Sequence, residues 1–270
     1  MKTAIKAIVP PGGTSGRISV ITATGKAVST KDFFVAPPPY TVADVAFVRR
    51  IAIGQTLTVP INTANKIALV VFEATAGQAL QFRINSSTFG STCSSDKMRV
   101  LKPDGSPLMA GFAGDSTGGR ATIIEEDLCA NTALDTPPLP VSGTYTVVID
   151  PSSTHVGQIS LTLLTHIIGT LTPGTEKQVQ ISTPGQKAFL RFAGVAGKRV
   201  TLKVNSFTFS NSAEVTIRKP DGTRFTSWFV SSGSFVESSV PLLVSGTYTL
   251  EIDPYLADTG QLNFTLALVQ

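Results

Sequence analysis

Few residues of this chain have the types and spacing that nucleophilic catalysis requires. The stretch from Gly114 to Gly118 matches the pattern G-x-S-x-G, in which a serine, here Ser116, attacks an acyl carbon while a histidine accepts its proton. That pattern needs a strand before it and a helix after it, but here it stands in a glycine-rich stretch with no helical sequence around it. The chain has 2 histidines, His155 and His166, and neither is near the serine in sequence. We therefore expect a flexible loop at 114–118 and no catalytic residue: the protein is not expected to be an enzyme.

Acidic side chains offer a second kind of chemistry, the binding of cations. Glu125, Glu126 and Asp127 are consecutive, and Asp115 lies ten residues before the first of them. Calcium sites take six or more oxygen ligands at regular spacing, and no such spacing occurs here. The chain also lacks a zinc-type C-x-x-C pair and a glycine-rich phosphate loop. We expect a solvated acidic loop, with no metal and no cofactor.

Composition favours a folded protein with a large core. Of 270 residues, 42% are hydrophobic and 15% are charged, so the chain can bury enough apolar surface to fold. The net charge of +4 comes from dispersed basic residues, of which Arg49 and Arg50 are the densest pair. A nucleic-acid groove needs a basic stripe interleaved with aromatics, and a membrane helix needs about 18 consecutive apolar residues. Because the sequence has neither, we expect no nucleic-acid partner and no membrane span.

The second half of the chain repeats the first. Three motifs recur in the same order: KPDG at 102–105 and 219–222, VSGTYT at 141–146 and 244–249, and IDP at 149–151 and 252–254. The offset between copies is 117 residues for the first motif (102 and 219) and 103 for the second (141 and 244). The first copy therefore carries an insertion of 14 residues, and a shorter insertion of three precedes Lys102.

Both copies show the period of two that is typical of strands with one buried face. Apolar residues alternate with polar ones at Leu80, Phe82 and Ile84, and again around Tyr248 and Leu250. Pro-Asp-Gly turns separate the segments, because proline presets one backbone angle and glycine accepts a positive φ. The sequence predicts an all-β fold: tandem antiparallel β-sandwiches of the jelly-roll or immunoglobulin-like kind, preceded by a short N-terminal β segment.

Short strands and turns also fill the N-terminal segment. Segments 5–9, 17–22, 26–29 and 33–35 read as strands, and Ala36 to Tyr40 reads as a stiff, proline-rich linker. We therefore expect the β segment at 1–36, the linker at 37–46, the first sandwich repeat with its loop insertions at 47–165 and the second repeat at 166–270. A β segment of this size leaves strand edges unpaired, so we expect it to lean on the first repeat or on another chain.

Two family resemblances fit this arrangement. The sequences IVPPGGTSGRISV (8–20) and TGKAVSTKDFFV (24–35) resemble the closing strands of an IPT/TIG domain, an immunoglobulin-like sandwich common in bacterial surface proteins. The two repeats are similar to bacterial pre-peptidase C-terminal domains in PDG, GTYTVVIDP and GQISLTL. These resemblances imply part of a large secreted or cell-surface bacterial protein, such as an RHS-type protein, with other domains of that protein as partners.

Three residues are singled out as candidate sites. Cys93 lies at the three-residue insertion and Cys129 lies in the region of the larger one, and the second copy lacks both cysteines. Two loops gained together predict a disulfide between them, as in an oxidising compartment; the alternative is two buried free thiols. Trp228 is the candidate ligand-facing aromatic, because the repeat offset places Phe225 and Phe229 on the core face; the alternative is a tryptophan lying over its own sheet.

The functional expectation follows from what is present and what is missing. We expect a non-catalytic structural spacer or adhesion segment, located outside the cell as part of a larger secreted protein. The alternative is a module that binds carbohydrate or protein through a sheet face or the insertion loops. Binding modules often display exposed aromatic residues, whereas spacers have no need of them.

Overall fold

The structure is a computed structural model that describes residues 6–10, 12–89, 95–110, 122–152, 154–231, 235–255 and 258–270. These residues form an all-β protein in two compact units, one ending at Leu164 and the other continuing from Thr165. The described helical structure is a single 3-10 turn at Val42–Asp44. None of the described residues forms a helix that is long and apolar enough to cross a bilayer.

A β-hairpin lies near the N-terminus. Strand β1 (Gly16–Thr22) pairs antiparallel with β2 (Gly25–Phe33) across a turn at Ala23 and Thr24. The sequence predicted separate strands at 26–29 and 33–35, whereas β2 runs unbroken to Phe33, and it predicted a further strand at 5–9. Residues 6–10 do not form a strand, and Ile5 lies outside the described residues.

The first sandwich packs a five-stranded sheet on a four-stranded one. The five-stranded sheet has the order β10-β7-β12-β5-β3 and the four-stranded sheet has the order β11-β6-β13-β4, while β8 and β9 pair with each other. The strands are β3 (Val45–Arg50), β4 (Thr56–Ile61), β5 (Ile67–Ala74), β6 (Leu80–Ser87), β7 (Lys97–Leu101), β8 (Met109–Ala110), β9 (Thr122–Ile123), β10 (Glu125–Asp127), β11 (Ala133–Asp135), β12 (Gly143–Asp150) and β13 (Gly157–Thr165).

The second sandwich has the same two layers. Its sheets have the orders β14-β16-β21-β18-β19 and β15-β22-β17-β20. The strands are β14 (Ile167–Thr170), β15 (Glu176–Ile181), β16 (Ala188–Gly194), β17 (Arg199–Phe207), β18 (Ala213–Arg218), β19 (Arg224–Val230), β20 (Phe235–Pro241), β21 (Gly246–Pro254) and β22 (Gly260–Val269).

Tyrosine positions show the equivalence of the two copies most clearly. Tyr145 on β12 and Tyr248 on β21 lie in the middle strand of their sheets, as the repeat predicts, and both are fully buried. Each hydroxyl donates a hydrogen bond to the carbonyl oxygen four residues earlier, at 2.7 Å to Val141 and 2.9 Å to Val244. Each ring stacks on a phenylalanine of the neighbouring strand, Phe72 or Phe192.

One pair of strands in each five-stranded sheet is parallel, whereas the sequence predicted antiparallel sheets. Strand β3 runs parallel to β5, and β14 runs parallel to β16. The intervening strand, β4 or β15, belongs to the opposite sheet. Since the chain crosses to the other layer and returns, it re-enters the first layer in its original direction.

The copies differ at the edge of the five-stranded sheet. In the first copy this edge is β10, whose residues Glu125 to Asp127 pair with Arg99 to Lys97 on β7. In the second copy the edge is β19, the hairpin partner of β18. The acidic loop predicted at 125–127 is therefore an edge strand, stabilised by the ion pair between Lys97 and Asp127.

Candidate functional site

The outer face of the first five-stranded sheet is apolar. Ile67 and Leu69 on β5, Leu101 on β7 and Val148 on β12 point away from the sandwich core, yet each is at most 6% exposed. Strands whose two faces are both buried are unusual in an antiparallel sandwich, where one face normally meets water. A further layer must therefore cover this face.

That layer is the segment 34–40, which we call the strap. Phe34 and Tyr40 of the strap, together with Val45, pack against the four outward apolar residues. The strap turns at a cis peptide bond between Pro38 and Pro39, and the Tyr40 amide donates to the Pro37 carbonyl at 2.9 Å. The sequence predicted a stiff, proline-rich linker at 37–46, and in the structure Tyr40 of this range packs on the sheet.

Polar contacts attach the flanks of the strap to the first sandwich. Arg50 on β3 binds Asp32 of the hairpin through Nε, at 2.8 Å, and through a second guanidinium nitrogen. The Thr14 hydroxyl donates to the Pro103 carbonyl oxygen at 2.8 Å. The hydrogen bond from Arg50 lowers the pKa of Asp32 below its ordinary value. The N-terminal segment thus packs on the first repeat through both apolar and charged contacts.

A tyrosine-aspartate-arginine cluster fixes the C-terminal end of the strap. The Tyr40 hydroxyl donates to a carboxylate oxygen of Asp150, and the Arg99 guanidinium carbon lies 5.7 Å from the Tyr40 ring centroid. Arg99 also approaches Asp150 at 3.9 Å. Burial, followed by the hydrogen bond to Asp150, raises the pKa of Tyr40. Asp253, which repeats Asp150 in the second copy, binds Lys187 at 3.0 Å.

A polar cleft of about 430 Å³ opens beside this cluster. It is lined by side chains of both signs together with an aromatic ring, among them Tyr40, Asp44, Asn65, Lys97 and Asp150. Its volume falls in the range of small-molecule sites, about 300–1,000 Å³. The charged groups of the cleft already have protein partners, since Asp44 accepts from Thr41 and Lys97 binds Asp127.

Behind the cleft lies a buried carboxylate that the sequence analysis did not identify. Asp96 is 0% exposed, and it accepts hydrogen bonds from the Ser152 amide at 2.6 Å and from Nδ1 of His155 at 2.8 Å. The aspartate and the histidine are 59 residues apart, so no local pattern links them. An alignment of the two copies could have revealed Asp96, because the buried Ala213 occupies the equivalent position in the second copy.

The described residues give no complete catalytic arrangement. A carboxylate and a histidine are joined at Asp96 and His155, but Ser116 and the rest of 114–118 lie outside the described residues. His166 packs edge-on against Phe189 at 5.2 Å between ring centroids. Within the described residues, no group of three or more His, Cys, Asp or Glu side chains is arranged to hold a metal ion; Asp115 is not among them.

Trp228 lies differently from its predicted orientation. Its side chain is partly buried against the second core, together with Phe225, whereas Phe229 is 71% exposed. The assignment of Phe229 to the core face and of Trp228 to the opposite face is therefore wrong. A register shift opposite Ile217 and Arg218 explains the error, because a bulge places residues three apart on one face and breaks the period of two. A ligand-binding role for Trp228 stays a prediction.

The predicted pairing of Cys93 with Cys129 also stays a prediction, because Cys93 lies outside the described residues. The described neighbours of the two cysteines do meet. The Leu128 amide donates to the Asp96 carbonyl oxygen at 2.9 Å, and β10 pairs with the start of β7. The two insertion regions therefore approach each other on the residues that flank them.

Comparison with known proteins gives no family. No family model matches the chain, and no curated protein matches it. Among solved structures, a periplasmic inhibitor of g-type lysozyme from Aeromonas hydrophila aligns with 16% identity over 38% of this chain and 97% of its own, at a TM-score of 0.28. The CUB1-EGF-CUB2 domains of rat MASP-1 align with 9% identity over 81% of this chain and 99% of their own, at a TM-score of 0.25. These likenesses are too distant to bear on function.

Proposed function

We propose that this chain is a non-catalytic structural segment of a secreted or cell-surface bacterial protein, and that it acts as a stiff connector between domains. The observation that carries the proposal is the strap. A chain segment between a β-hairpin and a sandwich covers Leu69, Leu101 and Val148 instead of hanging free. A connector of this kind holds the hairpin in a fixed position relative to the first sandwich. Movement of the hairpin would expose the apolar face of the sheet to water, which costs free energy.

The charged contacts support the same role. The guanidinium group of Arg50 holds Asp32 at the C-terminal end of the hairpin through two nitrogens, a geometry that fixes orientation as well as distance. Tyr40 is held at the other end of the strap by Asp150. Polar contacts thus hold both ends of the strap, and apolar contacts hold it against the sheet. The IPT/TIG and pre-peptidase C-terminal resemblances, which remain proposals, suggest the same setting of tandem extracellular domains.

Backbone ¹⁵N relaxation of the full chain tests the connector directly. We expect the amides of β1 and β2 to share the rotational correlation time of the first sandwich. Replacing Leu101→Asp puts a charge under the strap, and the hairpin amides should then gain independent motion. The matched control is Arg218→Asp, at the equivalent outward position of the second copy. A hairpin that tumbles independently in the unsubstituted protein would refute the connector.

The polar cleft favours a second candidate function, the binding of carbohydrate. Sugar sites combine an aromatic ring with carboxylate and amide groups, and Tyr40, Asp150 and Asn65 supply these groups around the cleft. A glycan-array screen distinguishes the two functions. Binding that is lost in Asn65→Ala and kept in Asn205→Ala, on the outer face of the second sandwich, would favour the binding module. A blank array leaves the connector as the better account.

A further inference from the structure

The polar cleft beside Tyr40 contains an amide side chain that the second copy lacks. Ala68 and Ala188 pair with the isoleucines of the repeated IDP motif. Three residues before these alanines lie Asn65 and Gly185, which therefore occupy equivalent positions. Both have a positive φ, 60° for Asn65 and 82° for Gly185, and this conformation is less favourable for a residue that has a Cβ. Asn65 lines the cleft, and its side-chain amide has no hydrogen bond to another described residue. The first copy thus retains an amide at the cleft where the backbone favours glycine.

Two carboxylates of the cleft each have one oxygen without a hydrogen bond or ion pair to any described residue. The amide and the hydroxyl of Thr41 both donate to Oδ2 of Asp44, and these hydrogen bonds lower the pKa of Asp44. Tyr40 and Arg99 likewise approach Oδ2 of Asp150. The Oδ1 atoms of Asp44 and Asp150 therefore remain as hydrogen-bond acceptors for a ligand in the cleft that both residues line.

The cations around the cleft are already engaged by the protein. Lys97 binds Asp127, and the Nζ of Lys66 donates to the Ala43 carbonyl oxygen at 2.7 Å. Arg99 lies over an aromatic ring of the strap. Carboxylates outnumber these three cations, even with His155 protonated: Asp44, Asp96, Glu125, Glu126, Asp127 and Asp150. An anionic ligand would therefore be repelled, whereas a ligand that carries positive charge would be attracted.

We propose that the cleft binds amino sugars, whose protonated amines contact the open oxygens of Asp44 and Asp150 and whose hydroxyls contact Asn65 and Ser152. The inference rests on the second candidate function, the binding of carbohydrate, and names its ligand class. Hydrogen bonds between an ammonium group and a carboxylate are about twice as strong as those between neutral groups. A cleft of about 430 Å³ holds sugar rings. A lysine side chain of another protein carries the same ammonium group, but it has no hydroxyl for the amide of Asn65.

Titration of the full chain with matched probes, followed by amide chemical shifts, tests the ligand class. The probes are the glucosamine trimer, its fully N-acetylated form, trigalacturonate and Nα-acetyl-lysine amide, at about pH 6, where free amines are protonated. We expect the glucosamine trimer to bind at least tenfold more tightly than each of the others, with the largest shifts at Asp44, Asn65 and Asp150.

Each other outcome overturns the amino-sugar inference. Tighter binding of the acetylated trimer or of trigalacturonate would leave sugar binding intact but change its ligand class. Equal binding of the lysine derivative would assign the cleft to a protein side chain. Binding of none of the probes would also refute the inference, whereas sugar binding itself fails only if the glycan array is blank.

Paired substitutions locate the site. Asn65→Gly reproduces Gly185 and suits the backbone, so the fold should be kept while the glucosamine trimer binds at least fivefold more weakly. The control is Asn131→Gly, at the other asparagine with a positive φ (65°) in the described part of the chain, and it should leave the affinity unchanged. Asp44→Asn should also weaken binding, whereas Asp104→Asn, at an exposed carboxylate of a Pro-Asp-Gly turn, should not. Equal effects within either pair, including no effect, would mean that the trimer does not bind in the cleft and would overturn the proposal.

Discussion

The two sandwiches share the order of their equivalent strands but differ on the outer face of the five-stranded sheet. Where the first copy has Leu69, Leu101 and Val148, the second has Phe189, Arg218 and Glu251 at the equivalent register. Arg218 Nε donates to Glu251 at 2.7 Å across this second face. One fold thus supports two surfaces, one apolar and covered by the strap, the other carrying charged pairs. The inner faces of the two copies form the same kind of apolar core. The outer faces differ in composition, and this difference matches what covers each of them.

Reduction of the predicted disulfide should give the largest difference in stability between the two copies. A disulfide between Cys93 and Cys129 would close a loop of 37 residues, counting both ends, and stabilise the first sandwich by roughly 4 kcal/mol. The second sandwich has no cysteine. We expect reductant to lower the unfolding midpoint of the first sandwich, which hydrogen exchange measures. The unfolding midpoint of the second sandwich, which the fluorescence of Trp228 measures, should not change. Two free thiols in the unfolded, unreduced protein would contradict this prediction.

A charge placed under the strap should have the next largest effect. Val148 is 0% exposed between sheet and strap, so Val148→Glu buries an unpaired carboxylate or releases the strap, at a cost of about 3 kcal/mol. The reverse change in the second copy, Glu251→Val, removes a buried carboxylate and puts an apolar side chain of smaller size in its place, while its partner Arg218 is about one third exposed and keeps access to water, so it should cost less than Val148→Glu. Hydrogen exchange of each sheet gives both values. Equal costs in the two copies would mean that the strap does not cover Val148.

Removing the buried carboxylate should have a moderate effect. Asp96→Ala imitates Ala213 of the second copy but leaves the Ser152 amide and His155 without their shared acceptor. We expect a loss of about 2 kcal/mol in the unfolding free energy of the first sandwich, and faster hydrogen exchange at Ser152. In the second copy the Asp258 side chain instead accepts from the Asn211 amide at 2.7 Å. Unchanged exchange at Ser152 would show that the loop is held by other contacts.

Acid should loosen the hairpin before either sandwich. The hydrogen bond from Arg50 lowers the pKa of Asp32, so the ionised form stabilises docking. That contribution is fully present above the ordinary aspartate pKa of about 3.9, and it is lost as the pH falls through the lower pKa of the folded state. Hairpin amides should therefore exchange with less protection, relative to the intrinsic rate, as the pH falls below 4. Asp32→Asn should abolish this dependence, and a dependence that persists would assign it to another group.

The repeat and the alternation of apolar residues predicted the β fold and the matched tyrosines, because burial of one face imposes a period of two. The strap was missed, although the unbroken run from Ile67 to Phe72 signals a strand with both faces buried. In the matching segment of the second copy, from Ala188 to Phe192, Arg191 interrupts the apolar run. The orientation of Trp228 was missed because the alternation rule assumes an unbroken strand, and the sequence does not show where a bulge interrupts it. The contact between Asp96 and His155 joins distant loops, which a local pattern does not reveal.

Hydroxyl-radical footprinting of the unmodified chain tests most directly whether the strap covers the first sheet. The account predicts that Leu69, Leu101 and Val148 are oxidised as slowly as the core residue Leu161, which is 0% exposed. Phe229, at 71% exposure, should react rapidly and serves as the internal standard for an open outer face. Oxidation of Leu69, Leu101 and Val148 at the rate of exposed aliphatic side chains such as Ile168 would contradict the account.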